Sequence, residues 1–313
     1  MESILNKKNH LGNPKPKNSN SESQFIETPS QMVLRRLRKN KLAMLGLILL
    51  IAMILFSFIG PLFMQYGYNT HTDSIKMPPM AGHILGTDYL GRDMLTRLMY
   101  GGRISILVGV ISVIIEIVIG ALIGAIAGYY GGKVDSILMT ITDIFLSLPF
   151  MPVILILGSV MSDLKVSGNM RIFFLMVIIG ILSWPSVARL VRGEILSLRE
   201  QEFMEATEAL GLRDTRKILK HLIPNVIPTI IVNATLGVAS AILTESALSY
   251  LGMGVTEPVP SWGNMMTVAN KLVDFQKRQW LWVPPGICIL ITVMAVNLFG
   301  DGLRDALDPK KKR

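Results

Sequence analysis

The sequence predicts an all-α integral membrane protein with six transmembrane helices, because long apolar runs alternate with shorter polar segments. Half of the 313 residues are hydrophobic, 17% are charged, and the mean hydropathy is +0.48. A soluble domain of this length usually carries about 25% charged residues. The charges also gather between the apolar runs instead of mixing with them. This composition is typical of a single polytopic membrane domain.

Six apolar runs are long enough to cross a bilayer, whose hydrocarbon core of about 30 Å needs roughly 20 helical residues. We expect helices because an open sheet would leave backbone hydrogen-bond donors unpaired in lipid. Pro149 and Pro152 predict a kink within the third run. The predicted spans are Leu42–Met64, Ile104–Tyr129, Ser136–Val160, Ile172–Ala188, Val226–Tyr250 and Val283–Phe299.

The basic residues predict the orientation of the chain. If the N-terminus lies inside the cell, 22 of the 31 Lys and Arg residues fall on the inner side of the membrane and nine fall outside. Because cytoplasmic loops carry the excess of Lys and Arg, we expect both termini in the cytoplasm. Basic clusters beside apolar spans are interpreted as topology determinants and lipid contacts. The sequence therefore predicts a multi-pass protein of the cell (plasma or inner) membrane that has no nucleic-acid partner.

The polar segments divide the chain into an anchor, a core and two tails. The first 41 residues are rich in Asn, Ser, Lys and Pro, which predicts a disordered cytoplasmic tail. The first span is too long for a cleaved signal peptide and is expected to remain as an anchor. The predicted organisation is a tail over 1–41, an anchor over 42–64, an outer-face loop over 65–103, a core of five helices over 104–303 with a cytoplasmic loop over 189–224, and a basic tail over 304–313.

The inner loop contains a predicted helix that ends at a glycine. Residues 202–224 read EFMEATEALGLRDTRKILKHLIP. Phe203, Ala206 and Leu210 recur at spacings of three and four, which predicts a narrow apolar stripe. Gly211 suits the left-handed backbone conformation that ends a helix.

A second short helix is predicted directly after this glycine. Asp214 can cap it, and Pro224 marks its end or a bend into the fifth span. Two short helices joined at a glycine would form a compact element at the cytoplasmic surface. The alternative is an amphipathic helix that lies on the bilayer, since the same pattern encodes both.

This loop resembles the cytoplasmic signature of permease subunits in ATP-binding cassette importers, which has the form Glu-Ala-Ala, three residues, Gly, nine residues, Ile-x-Leu-Pro. Thr207, His221 and Ile223 replace the second Ala, the Ile and the Leu of that signature. The resemblance implies a type I importer permease fold, in which this helix docks into a cleft of the ATPase subunit and passes nucleotide-driven closure to the spans. The coupling residues that it implies are Glu205, Ala206, Thr207, Leu210, Gly211 and Pro224.

Four more segments resemble the oligopeptide, dipeptide and nickel branch of this family, and in particular its second, C-type permease subunit. They are HILGTDYLGRDMLTRLMYGGRIS from His83, TDIFLSLP from Thr142, WPSVARLVRGEILSLREQEF from Trp184 and ESALSYLGMGVTEPVPSWGNMM from Glu245. Thr140 stands where an Arg is expected for the family.

The resemblance also implies the partners of the chain. They are a second homologous permease in a heterodimer, two ATP-binding subunits and an extracytoplasmic solute-binding protein, with the solute pathway between the two permeases. The solute would be an oligopeptide or a dipeptide. Nickel or another small solute stays open as the alternative, because these importers share the motifs. No cofactor is implied.

The outer loops hold candidate docking or gating residues. Gly and Asp residues favour turns that would fold these loops against the membrane. The family resemblance and the length of the loops favour docking of the solute-binding protein, with ordinary solvated turns as the alternative. The candidates are Asp88, Gly91, Arg92, Asp93 and Trp262.

Three acidic residues fall inside the spans, namely Glu116, Asp143 and Glu245. An acid near the bilayer centre is disfavoured by roughly 2.5–3.5 kcal/mol, so these side chains should face the bundle interior. They either line a solute pathway or hydrogen-bond neighbouring helices. A proton-coupled secondary transporter that uses Glu116 or Asp143 is the alternative function.

The sequence predicts no catalytic residue and no metal site. Gly132 and Lys133 lack the upstream glycine of a phosphate-binding loop, so ATP hydrolysis is assigned to a partner subunit. The four His residues lie in separate segments without metal-ligand spacing, and no nucleophile elbow occurs. The single cysteine, Cys288, lies in an apolar run and is expected to serve packing.

Overall fold

The computed structural model describes residues 29–308, which are mostly helical. Residues 1–28 of the predicted N-terminal tail and 309–313 of the predicted basic tail lie outside this range. The α-helices within it are α1 (Pro29–Lys39), α2 (Lys41–Phe58), α3 (Met94–Tyr130), α4 (Gly132–Ser147), α5 (Phe150–Asp163), α6 (Gly168–Arg199), α7 (Glu202–Ala209), α8 (Asp214–Arg216), α9 (Ile223–Tyr250), α10 (Trp262–Met265), α11 (Leu272–Lys277) and α12 (Val283–Leu307). A π-helical turn over Lys217–Leu222 joins α8 to α9.

Five helices are long and apolar enough to span a membrane, and a bent pair counted as one supplies a sixth span. The five are α2, α3, α6, α12 and the run Asp214–Tyr250, whereas α4 and α5 meet at an angle of 75°. The break follows from Pro149, because a residue before proline avoids the helical region, and Leu148 has a ψ of 128°. The six predicted spans are confirmed in this form, with a break where a kink was expected.

Several helices extend beyond the predicted spans. Asp93 caps α3, since its carboxylate accepts a hydrogen bond of 2.8 Å from the Thr96 N–H, and the helix begins at Met94 inside the predicted outer loop. Past their predicted ends, α6 continues for about three turns and α12 for about two. The start of the predicted basic tail is therefore helical. Hydropathy detects only the apolar part of each helix, which explains the difference.

The helix α1 corrects the expectation of disorder along the whole N-terminal tail. Leu37 is buried in an apolar cluster with Ala306 of α12. Arg36 also donates a hydrogen bond of 3.1 Å to the Asp308 carbonyl. The polar residues that dominate the tail conceal this short amphipathic stretch when the composition is averaged.

The two ends of the bundle carry different features, and we call them the α7 end and the α10 end. At the α7 end, Arg199 donates a hydrogen bond of 3.1 Å to the Tyr129 carbonyl, which joins the ends of α6 and α3. At the α10 end, the Trp262 side chain is buried against α3. The helix α7 follows the fourth span, so it lies on the side where the chain begins, and the sixth span returns the chain to that side. In agreement, Gly302 of α12 packs closely on Ala43 of α2. Both described ends of the chain therefore lie at the α7 end.

Small residues bring α3 and α6 close together. Gly120, Gly124 and Gly128 lie at every fourth position of α3, and a Cβ at Gly124 would come 2.4 Å from the Ala188 carbonyl oxygen. Small residues at this spacing let helix backbones approach each other in lipid. This packing fixes α6, and with it the start of α7, relative to α3.

Candidate functional sites

The loop after α6 forms a helix, α7, with one buried and one exposed face. Met204 lies in an apolar cluster with Ile195 of α6, Leu222 and Val226. Thr207 is buried on the same face, and its hydroxyl donates a hydrogen bond of 2.7 Å to the Met204 carbonyl. The buried polar group is therefore satisfied. This inner face attaches α7 to α6 and α9.

The opposite face of α7 is exposed to solvent. Glu205 and Ala206 are exposed, and the Leu210 side chain at the end of the helix is 75% exposed. The predicted apolar stripe does not form a buried face, because only Phe203 among its three residues is half-buried. The buried residues are instead Met204 and Thr207, each one position after a residue of the predicted stripe.

Gly211 ends α7 as predicted. Its φ is +63°, in the left-handed region. The Gly211 N–H donates to the Glu208 carbonyl at 2.8 Å, and the Leu212 N–H donates to the Thr207 carbonyl at 3.2 Å. This pair of bonds is the Schellman ending of a helix. A Cβ at Gly211 would meet nothing within 4 Å, so the conformation and not the space requires glycine.

The predicted second short helix is the first part of the fifth span. The chain runs from Asp214 through the π-helical turn into α9 as one continuous helical run. Arg213 is the N-cap residue, whereas Asp214 stands inside the helix and accepts a hydrogen bond of 2.6 Å from the Tyr129 hydroxyl. Pro224 is the second residue of α9, just after the π-helical turn, so the helical run does not end there. The part of the loop that follows Arg213 is therefore continuous with the fifth span.

A network of charges joins the loop before α3 to the loop before α10. The Asp88 carboxylate lies 2.7 Å from Arg92 Nε and 3.5 Å from Arg97 Nε. Glu257 lies 2.5 Å from Arg92 Nη1 and 3.0 Å from Arg97 Nη2. Burial alone would lower the pKa of Arg92, but its hydrogen bond to Glu257 and the charges of Asp88 and Glu257 outweigh burial and raise the pKa. Arg92 therefore stays charged although its side chain is buried.

The other predicted docking residues are also buried, and they support the loops from within. Asp93 caps α3. Gly91 has a φ of +75°, and a Cβ there would lie 2.1 Å from the Thr72 carbonyl oxygen. The Trp262 indole is fully buried and donates a hydrogen bond of 2.9 Å to the Leu98 carbonyl. Burial shows that these residues support the loops instead of forming the exposed loop surface, and their docking or gating role stays a prediction.

Two of the three acids in the spans have partners within the chain. Glu245 is fully buried, and its two oxygens accept hydrogen bonds of 2.7 Å from Ser105 and Ser249. Asp143 of α4 forms an ion pair of 2.6 Å with Arg189 of α6, and both side chains are exposed. Glu245 and Asp143 therefore connect neighbouring elements.

Glu116 has a different environment. It lies in the wall of a cavity of about 430 Å³ between α3, α6, α9 and the junction of α4 and α5. Within residues 29–308 its carboxylate has no hydrogen-bond or ion-pair partner. The pathway interpretation stays a prediction for all three acids, and Glu116 is the one whose carboxylate lacks a partner within the described residues.

Known families match most of the chain. Residues 120–313 match the family of binding-protein-dependent transport system inner membrane components. Residues 28–79 match the N-terminal transmembrane domain of oligopeptide transport permease C. The chain belongs to this permease family. As an inner membrane component of a binding-protein-dependent system, the permease is a multi-pass membrane protein that works with other subunits.

Curated relatives of the permease cover nearly its whole length. The dipeptide transport system permease protein DppC of Alkalihalophilus pseudofirmus is 38% identical over 96% of this chain and 97% of its own. The oligopeptide transport system permease proteins OppC of Bacillus subtilis and Escherichia coli K12 are 40% and 42% identical over 89% of this chain, and over 88% and 90% of their own chains. These relatives confirm the resemblance to C-type permease subunits and the assignment as a permease instead of an enzyme.

The sequence analysis does not identify Glu257, Arg97 and Arg189, which form ion pairs with predicted site residues. Glu257 and Arg97 are 160 residues apart, and Arg189 is 46 residues from Asp143. No local pattern relates residues at such distances. The available signal is that a buried charge requires a partner of opposite sign, which directs the search to oppositely charged residues of other spans and loops.

Proposed function

We propose that this permease moves peptides across the membrane as one half of a permease heterodimer, driven by two ATP-binding subunits, one of which binds α7, and supplied by a solute-binding protein at the α10 end. The observation that carries the proposal is the geometry of α7. Its inner face is fixed to the spans by Met204 and Thr207, while its outer face, with Ala206 and Leu210, is exposed for a partner.

A displacement of α7 would reach several spans through direct contacts. Met204 packs against residues of both α6 and α9. Lys217 of the π-helical turn lies 3.6 Å from Glu208 of α7. The Tyr129 hydroxyl, at the end of α3, is bonded to Asp214 at the start of the fifth span. Because three spans meet at or beside α7, they would move with it.

The character of the exposed face favours a protein partner over the bilayer surface. A helix that lies on a membrane presents large apolar side chains to lipid and basic residues to the headgroups. The exposed face of α7 carries Glu205, Glu208, Ala206 and Ala209, and only Leu210 beside it is large and apolar. Small residues allow close approach of another protein, and carboxylates are repelled by anionic lipid.

The α7 end is assigned to the cytoplasm. Both described ends of the chain lie at this end, and the sequence predicts 22 of the 31 Lys and Arg residues on the side of the two termini. The positive-inside rule places that side in the cytoplasm. ATP is present on that side, which agrees with docking of the ATP-binding subunits on α7.

Peptide is the proposed solute because relatives that cover nearly the whole chain are named for dipeptide and oligopeptide transport. The junction of the two outer loops, held by Asp88, Arg92, Arg97 and Glu257, supports docking of a binding protein because it makes that end of the permease one stable surface. Nickel is the alternative solute.

Uptake by the complete complex in lipid vesicles tests the proposal. The vesicles would contain ATP, and the binding protein with a labelled tripeptide would be added outside. We expect accumulation that requires both ATP and binding protein and that survives a protonophore. Uptake that persists without ATP under a clamped proton gradient would contradict it in favour of a secondary transporter. Accumulation of nickel but not of peptide would overturn the choice of solute.

A further inference from the structure

A cavity of about 430 Å³ lies beside the break in the third span. Its size falls within the range of small-molecule sites in proteins, about 300–1,000 Å³. Four hydroxyl-bearing residues line it, namely Ser183, Ser186, Ser240 and Thr244. Ser186 and Ser240 are exposed, so the cavity can be reached from outside this chain.

Glu116 is the one charged residue in the cavity wall, among the residues that the structure describes. Its carboxylate lacks a partner in that range, whereas Glu245 and Asp143 are bonded. Gly237 of α9 faces it, since a Cβ at Gly237 would come 3.7 Å from Glu116 Oε2. The absence of a side chain there leaves space in front of the carboxylate.

The depth of Glu116 makes an unpaired carboxylate costly. It lies about 21 Å along the helix axis from Tyr130 at the end of α3, in a hydrocarbon layer about 30 Å thick. Acids at such depth pair with another group or face a water-filled cavity. Because residues 29–308 supply no counter-charge, the complementary group is expected to be a cation from outside the chain.

We infer that Glu116 binds a cationic amino group of the peptide in transit, either its N-terminal ammonium or a lysine side chain. This inference rests on the proposed peptide transport. The ammonium would donate hydrogen bonds to the carboxylate, a combination that is stronger than a neutral hydrogen bond. The hydroxyls of the wall would bond the peptide backbone, and Phe145, Leu148 and Phe150 at the junction of α4 and α5 would contact its apolar parts.

The test compares Glu116→Gln with the wild-type chain in the complete complex in vesicles. Two labelled tripeptides with free N-termini would be used, which differ only in a central lysine or norleucine. At saturating binding protein, we expect Glu116→Gln to lower peptide uptake about tenfold, the value of one charge-assisted hydrogen bond, while assembly with the second permease stays unchanged. Glu116→Asp keeps the charge and should retain more uptake than Glu116→Gln. Asp163→Asn is the matched control, because Asp163 is exposed at the end of α5 and does not line the cavity.

The two peptides distinguish the sources of the cation. Loss confined to the lysine peptide identifies the side chain, and equal loss of both identifies the N-terminal ammonium. Equal uptake of both peptides by Glu116→Gln and wild type would overturn the inference. So would failure of Glu116→Gln to assemble with the second permease, because Glu116 would then pair with that subunit. A wild-type complex that accumulates neither peptide would overturn the proposed function itself.

Discussion

Glu257 Oε1 lies 3.0 Å from Arg97 Nη2, so a carboxylate in the loop before α10 binds a guanidinium that is buried in the first turn of α3. The second oxygen of the same carboxylate lies 2.5 Å from Arg92 Nη1. One acidic side chain therefore bridges two buried cations from a distant part of the chain, and Asp88 supplies the second negative charge. This relationship joins two loops at the α10 end into one unit.

Replacing Glu257 by Gln should destabilise the α10 end, because Asp88 is then the remaining anion for two buried guanidiniums. The Glu257 side chain is 44% exposed, so water compensates part of the loss. We expect the free energy of unfolding to fall by about 1–2 kcal/mol, measured by thermal unfolding of the purified permease in detergent. Asp73→Asn is the control, since Asp73 is exposed in the same region. Equal destabilisation by both changes would contradict the account.

Replacing Gly91 by Ala should cost about 2–4 kcal/mol of stability, because strain at positive φ adds to overpacking. The new Cβ would lie 2.1 Å from the Thr72 carbonyl oxygen. Gly82 is a matched control with a φ of +89° and nothing within 4 Å of its Cβ position. Gly82→Ala should therefore show the conformational cost alone, about 1 kcal/mol. Similar melting temperatures for the two variants would show that the close contact is unimportant.

Replacing Gly124 by Ala should separate α3 from α6, since the new Cβ would lie 2.4 Å from the Ala188 carbonyl oxygen. Overpacking of this kind costs about 1–3 kcal/mol. Gly193, on α6, has nothing within 4 Å of its Cβ position, so Gly193→Ala should stabilise the helix by about 0.5–1 kcal/mol. Opposite shifts in melting temperature are the expected result, and stabilisation by both changes would refute the close packing.

The two faces of α7 should respond differently to substitution. Met204→Ala removes a buried side chain and should cost about 2–4 kcal/mol of stability. Ala206→Phe adds bulk to the exposed face, so it should leave the unfolding temperature unchanged and abolish ATP hydrolysis stimulated by the loaded binding protein. Both quantities can be measured on the purified complex. Normal stimulation in Ala206→Phe would exclude a docking role for this face.

The sequence predicts the features that local chemistry decides. Hydropathy finds the six spans because lipid selects long apolar runs. Pro149 places the break in the third span because proline restricts the residue before it. Gly211 marks the end of α7 because the left-handed conformation favours glycine. Each of these outcomes depends on a few neighbouring residues and needs no knowledge of distant contacts.

Features that depend on tertiary packing are not predictable in this way. The helix α1 owes its position to α12, more than 260 residues away, as the contact between Arg36 and Asp308 shows. Burial of Trp262 depends on its fit against α3. The choice of Met204 as the buried position of α7 depends on where α6 and α9 meet. In each case the deciding surface belongs to another part of the chain.

Crosslinking from α7 tests the central claim most directly. Cys288 is the only cysteine of the chain and is buried. A cysteine introduced at Leu210, at the end of α7, therefore provides one accessible thiol, and a cysteine introduced at Met204 provides a buried control. In the assembled complex, a thiol-directed crosslinker should join Leu210→Cys to the ATP-binding subunit and leave Met204→Cys unreacted. A complex that hydrolyses ATP but yields no adduct from Leu210→Cys would contradict the claim that α7 is the site where the ATP-binding subunit docks.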